Sequence, residues 1–256
     1  MKIITVKLAL LALFFAGAVI ANAQKLSNVQ QTSLRAPADI KIDGKATEWD
    51  NKFQAYNKAT DIAYTLSNDD ERLYLIVQAK YRDVIDKILR GGITLTLNHS
   101  LNKKDDERIA ITYPVFNGSG QSDVTNMLAR KENEKRDTNN SDVSIDDMNK
   151  VLDARSKSIR VSGIKPVTDK DISVYNQEGI KAISQFDKQL TYTYELAVPL
   201  KYLTLPNNGA DGFTYNIRIN EPSDGSVSHG DAPPPPMAIT ATAPTDFWGK
   251  YILAKK

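Results

Sequence analysis

Five segments of the chain alternate apolar and polar residues with a period of two, and this pattern constrains the fold more than any other feature. Successive side chains of a β-strand point to opposite faces, so each segment predicts a strand with one face on a core and one on solvent. No helical pattern alternates with them, which favours an all-β antiparallel β-sandwich over a βαβ fold. The segments are DIAYTLS, RLYLIVQA, GITLTLN, LTYTYELAV and FTYNIRIN. Weaker patterns predict strands at 40–42, 109–113, 159–161, 180–186 and 251–253.

Two long polar segments interrupt the strands. Residues 117–158 are rich in Asn and Asp and contain two predicted short helices, DVTNMLARKENEK and SIDDMNKVLDARSK. Ser144 is placed to cap the second helix, and the acids that follow it suit the first turn of a helix. We interpret 117–158 as an insertion whose helices lie over one end of the sandwich. The loop 221–245 contains four consecutive prolines, which exclude regular strand pairing.

The N-terminus has the three parts of a secretory signal peptide. Lys2 and Lys7 precede an apolar run that is too short for an easy membrane span, and Ala21-Asn22-Ala23 forms a cleavage signal. We therefore predict a signal peptide at 1–23, a flexible lead-in at 24–37 and a single domain at 38–256. The predicted location is periplasmic or secreted, and the protein is not expected to be an integral membrane protein.

Cysteine content and charge exclude several classes of protein. The chain has no cysteine, so it has neither a lipidated N-terminal cysteine nor disulfides or thiolate metal sites. It must build its own core, which its length and 41% hydrophobic content allow. The two lysines of the leader account for the formal net charge of +2. A balanced mature chain is not expected to bind nucleic acid.

Local catalytic motifs are absent. The sequence has no HExxH, GxSxG, P-loop or GxGxxG motif, and His99 and His229 are interpreted as loop residues. We predict no catalytic residue and no enzyme activity, although a hydrolase assembled from distant carboxylates is an alternative. An accessory role beside glycoside hydrolases is compatible with this prediction.

Two acidic stretches contain the carboxylates that a catalytic or metal site needs. In IKIDGKATEW, Asp43 precedes a turn glycine and Glu48 precedes Trp49, so the acids are interpreted as turn residues and the tryptophan as a lid on the core. SNDDERLY is interpreted as a strand-to-strand turn. A structural calcium ion there is the alternative, although no EF-hand pattern is present. No other cofactor or metal ion is predicted.

Exposed aromatic rings at strand ends are the candidates for binding sugar, because pyranose rings present C–H patches that pack on aromatic faces. Tyr81 and Tyr113 stand where predicted strands run into loops, and the large ring of Trp248 is expected to surface in part. With Asn220 as a polar neighbour, the predicted ligand-binding residues are Tyr81, Tyr113, Trp248 and Asn220.

Six segments in order resemble the family 9 carbohydrate-binding modules and the related DOMON-like β-sandwiches. They are IKIDGKATEW, AYTLSNDDERLYLIVQAK, GITLTLN, YTYELAVPLKYL, FTYNIRIN and FWGKYIL. The resemblance implies a sandwich of immunoglobulin or jelly-roll type and a non-catalytic, carbohydrate-binding function. The cleavage site is similar to those of secreted proteins of Bacteroidetes-type bacteria.

The sequence departs from the family at its sugar clamp. The two clamp tryptophans of the family fall near Ile88 and Thr242, and an acid of the family falls at Thr94. The alternative hypothesis is therefore a structural or protein-interaction sandwich of the cell envelope that has lost the sugar site. A third is haem binding, as in some DOMON-like relatives, for which the residue types are present without a spacing: His99, His229, Met127, Met148 and Met237.

Overall fold

The structure is a computed structural model that describes residues 25–101, 108–134, 143–203, 212–222 and 243–256. The predicted signal peptide and most of the proline-rich loop lie outside these ranges. Along the chain the elements are β1 Ala55–Asn57, β2 Ile62–Asn68, β3 Arg72–Ala79, α1 Arg82–Gly91, β4 Ile93–Asn98, β5 Arg108–Val115, α2 Gly120–Glu134, α3 Ile145–Arg155, β6 Ser158–Ser162, β7 Asp171–Ser173, β8 Lys181–Phe186, β9 Tyr192–Pro199, β10 Gly212–Ile219 and β11 Thr245–Ile252.

The strands form two antiparallel sheets, as the alternation predicted. One sheet has the order β1-β2-β3-β9-β8 and the other β11-β10-β4-β5-β6-β7. Their inner faces meet in one large core of aliphatic and tyrosine side chains. The β-sandwich predicted from the sequence is confirmed by this topology.

Helices α2 and α3 close one end of this core. They occupy the predicted insertion between β5 and β6, and Ser144 accepts a hydrogen bond from the backbone N–H of Asp147, as a helix cap does. Met148 and Leu152 of α3 are fully buried in the core, and Asn149 exchanges two hydrogen bonds with the backbone of Phe186 in β8. The two predicted helices are confirmed, and their ends lie one to three residues from the predicted ends.

Helix α1 was not predicted. Its segment, RDVIDKILRG, places Val84, Ile85, Ile88 and Leu89 on one buried face, the spacing of an amphipathic helix. No element was predicted between the segments RLYLIVQA and GITLTLN. Ile88, the position matched to a family clamp tryptophan, is fully buried in this helix.

The N-terminal segment differs most from expectation. The predicted strand at 40–42 does not form, and the expected flexible lead-in is fixed along the sandwich. Gln30 is buried and bonds to the backbone of Leu66, while Leu34 O accepts a hydrogen bond from the Tyr251 hydroxyl. The backbone N–H groups of Asp43 and Gly44 donate to a Glu195 side chain rather than to a strand partner. The segment is therefore held by side chains of distant strands, which a local pattern cannot reveal.

Trp49 closes a second, smaller core. With Ala46 it covers Tyr74, Ile76 and Ala197 on the outer face of the five-stranded sheet. The indole is only 7% exposed, so its prediction as a lid is confirmed, although it covers an outer face rather than the main core.

Candidate functional site

The outer face of the six-stranded sheet presents a continuous row of polar side chains, one from each strand. Direct cross-strand partners give the order Asp246, Arg218, Thr94, Thr112, Arg160 and Asp171. The residues before and after each of the four central members are buried in the core, so the row faces outward. We call its four central members, Arg218, Thr94, Thr112 and Arg160, the polar face.

The polar face forms the floor of an open cleft of about 390 Å³. Gly91 at the end of α1 and the chain after β10, residues 220–222, complete its lining. A cleft of this size lies within the range of small-ligand sites. Because β-strands position its floor, the geometry does not depend on a mobile loop.

Hydrogen bonds fix the centre of the face. The Thr94 and Thr112 hydroxyls lie 2.7 Å apart, and the Asn220 amide nitrogen donates to Thr94 Oγ1 at 2.9 Å. The same amide nitrogen donates to Gly91 O at 2.8 Å and so ties the end of β10 to the end of α1. The Thr112 hydroxyl makes only its bond to Thr94 among the described residues, so it retains hydrogen-bonding capacity that a ligand hydroxyl can use.

The two arginines are in different electrostatic states. Arg160 donates two hydrogen bonds to Asp171, at 2.7 and 3.1 Å, and this pairing raises the pKa of the guanidinium and lowers the pKa of the carboxyl. Arg218 is exposed and makes no ion pair within the part of the chain that the structure describes. Its guanidinium is therefore the group on this face that is best able to donate to a ligand.

Of the predicted site residues, Trp248 and Asn220 lie on this face. Trp248 is half-buried and directly opposite Asn216, one row of side chains away from Arg218. Thr94, the position matched to an acid of the family, lies at the centre of the polar face. A hydroxyl therefore stands at the position where the resemblance implies a carboxylate.

The other two predicted site residues, Tyr113 and Tyr81, do not lie on the polar face. Tyr113 was expected to be exposed and this is wrong: it is 1% exposed, packs on Tyr194 and shares a hydrogen bond with Ser156 inside the core. It belongs to the apolar phase of β5, opposite to that of Thr112. Tyr81 is 56% exposed as expected, but it precedes α1 at the end remote from Gly91. A ten-residue helix spans about 15 Å, which separates Tyr81 from the cleft.

Arg218, Thr112 and Arg160 were missed from the sequence. In each strand they are simply the polar members of an alternating pattern. Only the register between strands aligns them in one row, and register is not visible in a single strand. The sequence offered one indication of the site: Arg218 is the charged residue among the otherwise neutral outward positions of FTYNIRIN.

The acidic stretches have structural roles. Asp69 of SNDDERLY accepts hydrogen bonds from the backbone N–H of Glu71 and Arg72 and from the Tyr74 hydroxyl. Burial opposes its ionisation, but these donors outweigh burial and lower its pKa. Asp43 accepts from the backbone of Lys45, and Glu48 from the Thr47 hydroxyl. These contacts match the interpretation of both stretches as turns.

Neither metal nor membrane features appear in the described ranges. They contain no group of three or more His, Cys, Asp or Glu side chains that could hold a metal ion. Met148 is buried in the core, whereas His229 and Met237 fall outside the described residues. Thr242, matched to the second clamp tryptophan, also falls outside them. Among the described helices none has the length and apolar character needed to cross a bilayer.

Comparison with known proteins adds one likeness. No protein-family model matches the chain, and no curated protein sequence does. A solved structure that is similar is a carbohydrate-binding module of family 9 from Caldicellulosiruptor kristjanssonii in complex with glucose. It is 10% identical, and the match covers 88% of this chain and 96% of that one with a TM-score of 0.37. That protein belongs to the family that the order of motifs resembles. Because the TM-score and the sequence identity are low, the likeness supports no inference about a ligand or a binding site in this chain.

Proposed function

We propose that the chain is a non-catalytic carbohydrate-binding module that binds a glycan across the polar face. The observation that carries the proposal is the row of two threonine hydroxyls between two arginines on the floor of an open cleft of about 390 Å³. Sugar hydroxyls both donate and accept hydrogen bonds, as threonine hydroxyls do, and guanidinium groups supply fixed donors. The resemblance of the motif order to family 9 modules supports the same class of ligand.

Arg218 is the residue on which binding depends most in this proposal. It is exposed and lacks an ion-pair partner within the described ranges, so no ion pair among the described residues must break before it donates to a ligand. Arg160 already shares its donors with Asp171 and contributes less. A charge-assisted hydrogen bond is worth roughly 1.5–3 kcal/mol, which corresponds to about a tenfold change in affinity or more.

Isothermal titration calorimetry on the chain from Gln24 onward tests the proposal. The probes are cellohexaose, xylohexaose, laminarihexaose and tri-galacturonic acid, which separate neutral glycans from acidic ones. Arg218→Ala is expected to weaken the binding of the preferred probe by about tenfold or more. Arg130→Ala, at an exposed position on α2, is the matched control and is expected to leave the affinity unchanged. The proposal fails if none of the four probes binds, or if the two variants bind alike.

We also propose that the chain is exported and functions in the periplasm or outside the cell. The support is the leader pattern of residues 1–23, which lie outside the described residues. N-terminal sequencing of the protein recovered from a periplasmic or culture fraction is expected to begin at Gln24. Recovery of an intact leader from the cytoplasm would contradict export.

A further inference from the structure

A second cleft lies on the opposite side of the sandwich, on the outer face of the five-stranded sheet. It has a volume of about 360 Å³. One wall is the turn formed by residues 44–47 together with Asn51, and the other is the first turn of α3 with residues 186–188. Gln78, Thr193 and Gln185 form its floor, and we call this site the amide cleft.

The floor is one row of direct cross-strand partners. Thr193 of β9 pairs with Gln78 of β3 on one side and with Gln185 of β8 on the other. Gln78 Nε2 lies 3.5 Å from Thr193 Oγ1, the upper limit for a hydrogen bond. The Gln185 side chain makes no hydrogen bond within the described part of the chain. Two carboxamides on this floor therefore retain donors and acceptors for a ligand.

The walls are fixed without a ligand. Glu195, two residues beyond Thr193 on β9, accepts hydrogen bonds from the backbone N–H of Asp43 at 2.8 Å and of Gly44 at 2.7 Å. A Cβ on Gly44 would lie 2.8 Å from Gln185 Cγ, so only glycine lets this turn approach β8 so closely. The Asn149 amide holds α3 against Phe186 on the other side. A cleft with fixed walls loses little entropy on binding.

The charges around the rim are balanced. Lys45 and Lys188 supply two positive charges, and Asp146 and Asp187 supply two negative charges. A strongly charged ligand gains no net attraction from such a rim. Carboxamide and hydroxyl groups on the floor match a ligand whose own groups are neutral donors and acceptors.

We infer that the amide cleft binds a sugar unit of a neutral glycan, as a second site on the face of the sandwich opposite the polar face. The inference takes its class of ligand from the proposed function, but the site and its residues are independent of the polar face. With two sites on opposite faces, one molecule holds two glycan chains at once and bridges them.

Nuclear magnetic resonance on the ¹⁵N-labelled chain from Gln24 onward tests the inference. Cellotetraose, xylotetraose and mannotetraose are the probes, and tetra-alanine tests a peptide as the alternative occupant. The side-chain NH₂ signals of Gln78 and Gln185 are expected to shift and saturate with one of the sugars. Gln185→Ala is expected to weaken this binding by about tenfold, whereas Gln189→Ala, on the exposed turn nearby, is the matched control.

The outcomes separate the two sites. Saturating shifts in the amide cleft that persist in Arg218→Ala support a second, independent site. Shifts confined to the polar face overturn the second site and leave the proposed function standing. Shifts of the cleft amides with tetra-alanine alone overturn the sugar as occupant. No shift of the cleft amides with any probe overturns the second site, and the calorimetric titrations with their own probes decide the proposed function.

Discussion

The two outer faces of this sandwich differ although the strands beneath them have the same alternating pattern. On the five-stranded sheet the outward phase includes Tyr74, Ile76 and Ala197, and the N-terminal segment covers these residues with Ala46 and Trp49. On the six-stranded sheet the polar face consists of outward threonines and arginines, and it forms the floor of an open cleft. Apolar outward residues therefore mark the part of the surface that the chain itself covers, and polar outward residues mark the parts left open, which are the polar face and the amide cleft.

The covered face of the five-stranded sheet buries an ionisable group, whereas the polar face of the six-stranded sheet leaves its charged groups in solvent. Glu195 is fully buried beneath the Asp43-Gly44 turn, and its second carboxylate oxygen has no hydrogen-bond partner among the described residues. Arg218 and Arg160, in contrast, keep their charges in solvent. Burial of a charge is unfavourable unless several donors compensate it, so ionisation of Glu195 is unfavourable on the covered face.

The largest expected effect separates the two tryptophans. Trp49→Ala removes a buried indole from the covered face and is expected to lower the free energy of unfolding by roughly 3–5 kcal/mol. Trp248→Ala, on the open face, removes a half-buried ring and is expected to cost less than half as much. Urea denaturation followed by circular dichroism measures both. Equal losses would show that the open face contributes as much to stability as the covered one.

A second prediction concerns the pH dependence of stability. Burial raises the pKa of Glu195 from 4.5 to about 7, against the hydrogen bonds from Gly44 and Asp43, which lower it. Below pH 4.5 the group is protonated in both folded and unfolded chains, and its contribution is fully present. As the pH rises through about 7, the folded state must carry a buried charge, and up to about 3 kcal/mol of stability is lost.

Glu195→Gln is expected to remove this dependence, because the amide keeps an oxygen acceptor for the turn and does not titrate. The measurement is the free energy of unfolding in urea between pH 4.5 and 8. Glu71→Gln, at an exposed carboxyl, is the matched control and is expected to retain the slope. An unchanged slope in Glu195→Gln would show that another group is responsible.

A third, smaller effect is expected at the edge of the open face. A Cβ on Gly91 would lie 2.4 Å from Glu221 O and 2.6 Å from Asn220 O, and backbone atoms cannot rotate away. Gly91→Ala is therefore expected to cost about 1–3 kcal/mol and to displace the end of β10 from the polar face. Gly120→Ala, whose Cβ would meet an arginine side chain at 3.2 Å, is the comparison and is expected to cost less. Thermal unfolding distinguishes them, and similar melting temperatures would contradict the clash.

The smallest effect is expected from the ion pair at the end of the polar row. Both side chains of the Arg160–Asp171 pair are about half exposed, so solvent screens the attraction. Asp171→Ala is expected to lower the free energy of unfolding by less than about 1 kcal/mol. It also releases Arg160, so glycan binding is expected to stay the same or strengthen slightly. A loss of affinity similar to that of Arg218→Ala would mean that the pair itself is required.

The sequence predicted the sandwich and the insertion helices because each depends on a repeated local pattern. It failed where distant residues decide the outcome. The segment 40–42 is apolar enough for a strand, but the backbone that follows it bonds to Glu195, 151 residues away from Gly44. Helix α1 was missed because a ten-residue helix between strong strands gives a short signal.

The candidate site was predicted in part for a similar reason. Asn220 and Trp248 were selected as polar and aromatic residues near strand ends, and the sheet places both on one face. Tyr113 was selected on the same grounds, but its position in the alternation of β5 directs it into the core. The arginines and threonines of the polar face became recognisable only when register aligned them.

The N-terminal segment has a consequence for the time course of folding. Its partners are Glu195 in β9 and Tyr251 in β11, which are synthesised 151 residues after Gly44 and 217 residues after Leu34. Contacts so distant in sequence form slowly. Until β9 and β11 are in place, Tyr74 and Ile76 remain uncovered, and the incomplete chain exposes an apolar sheet face on which it can aggregate.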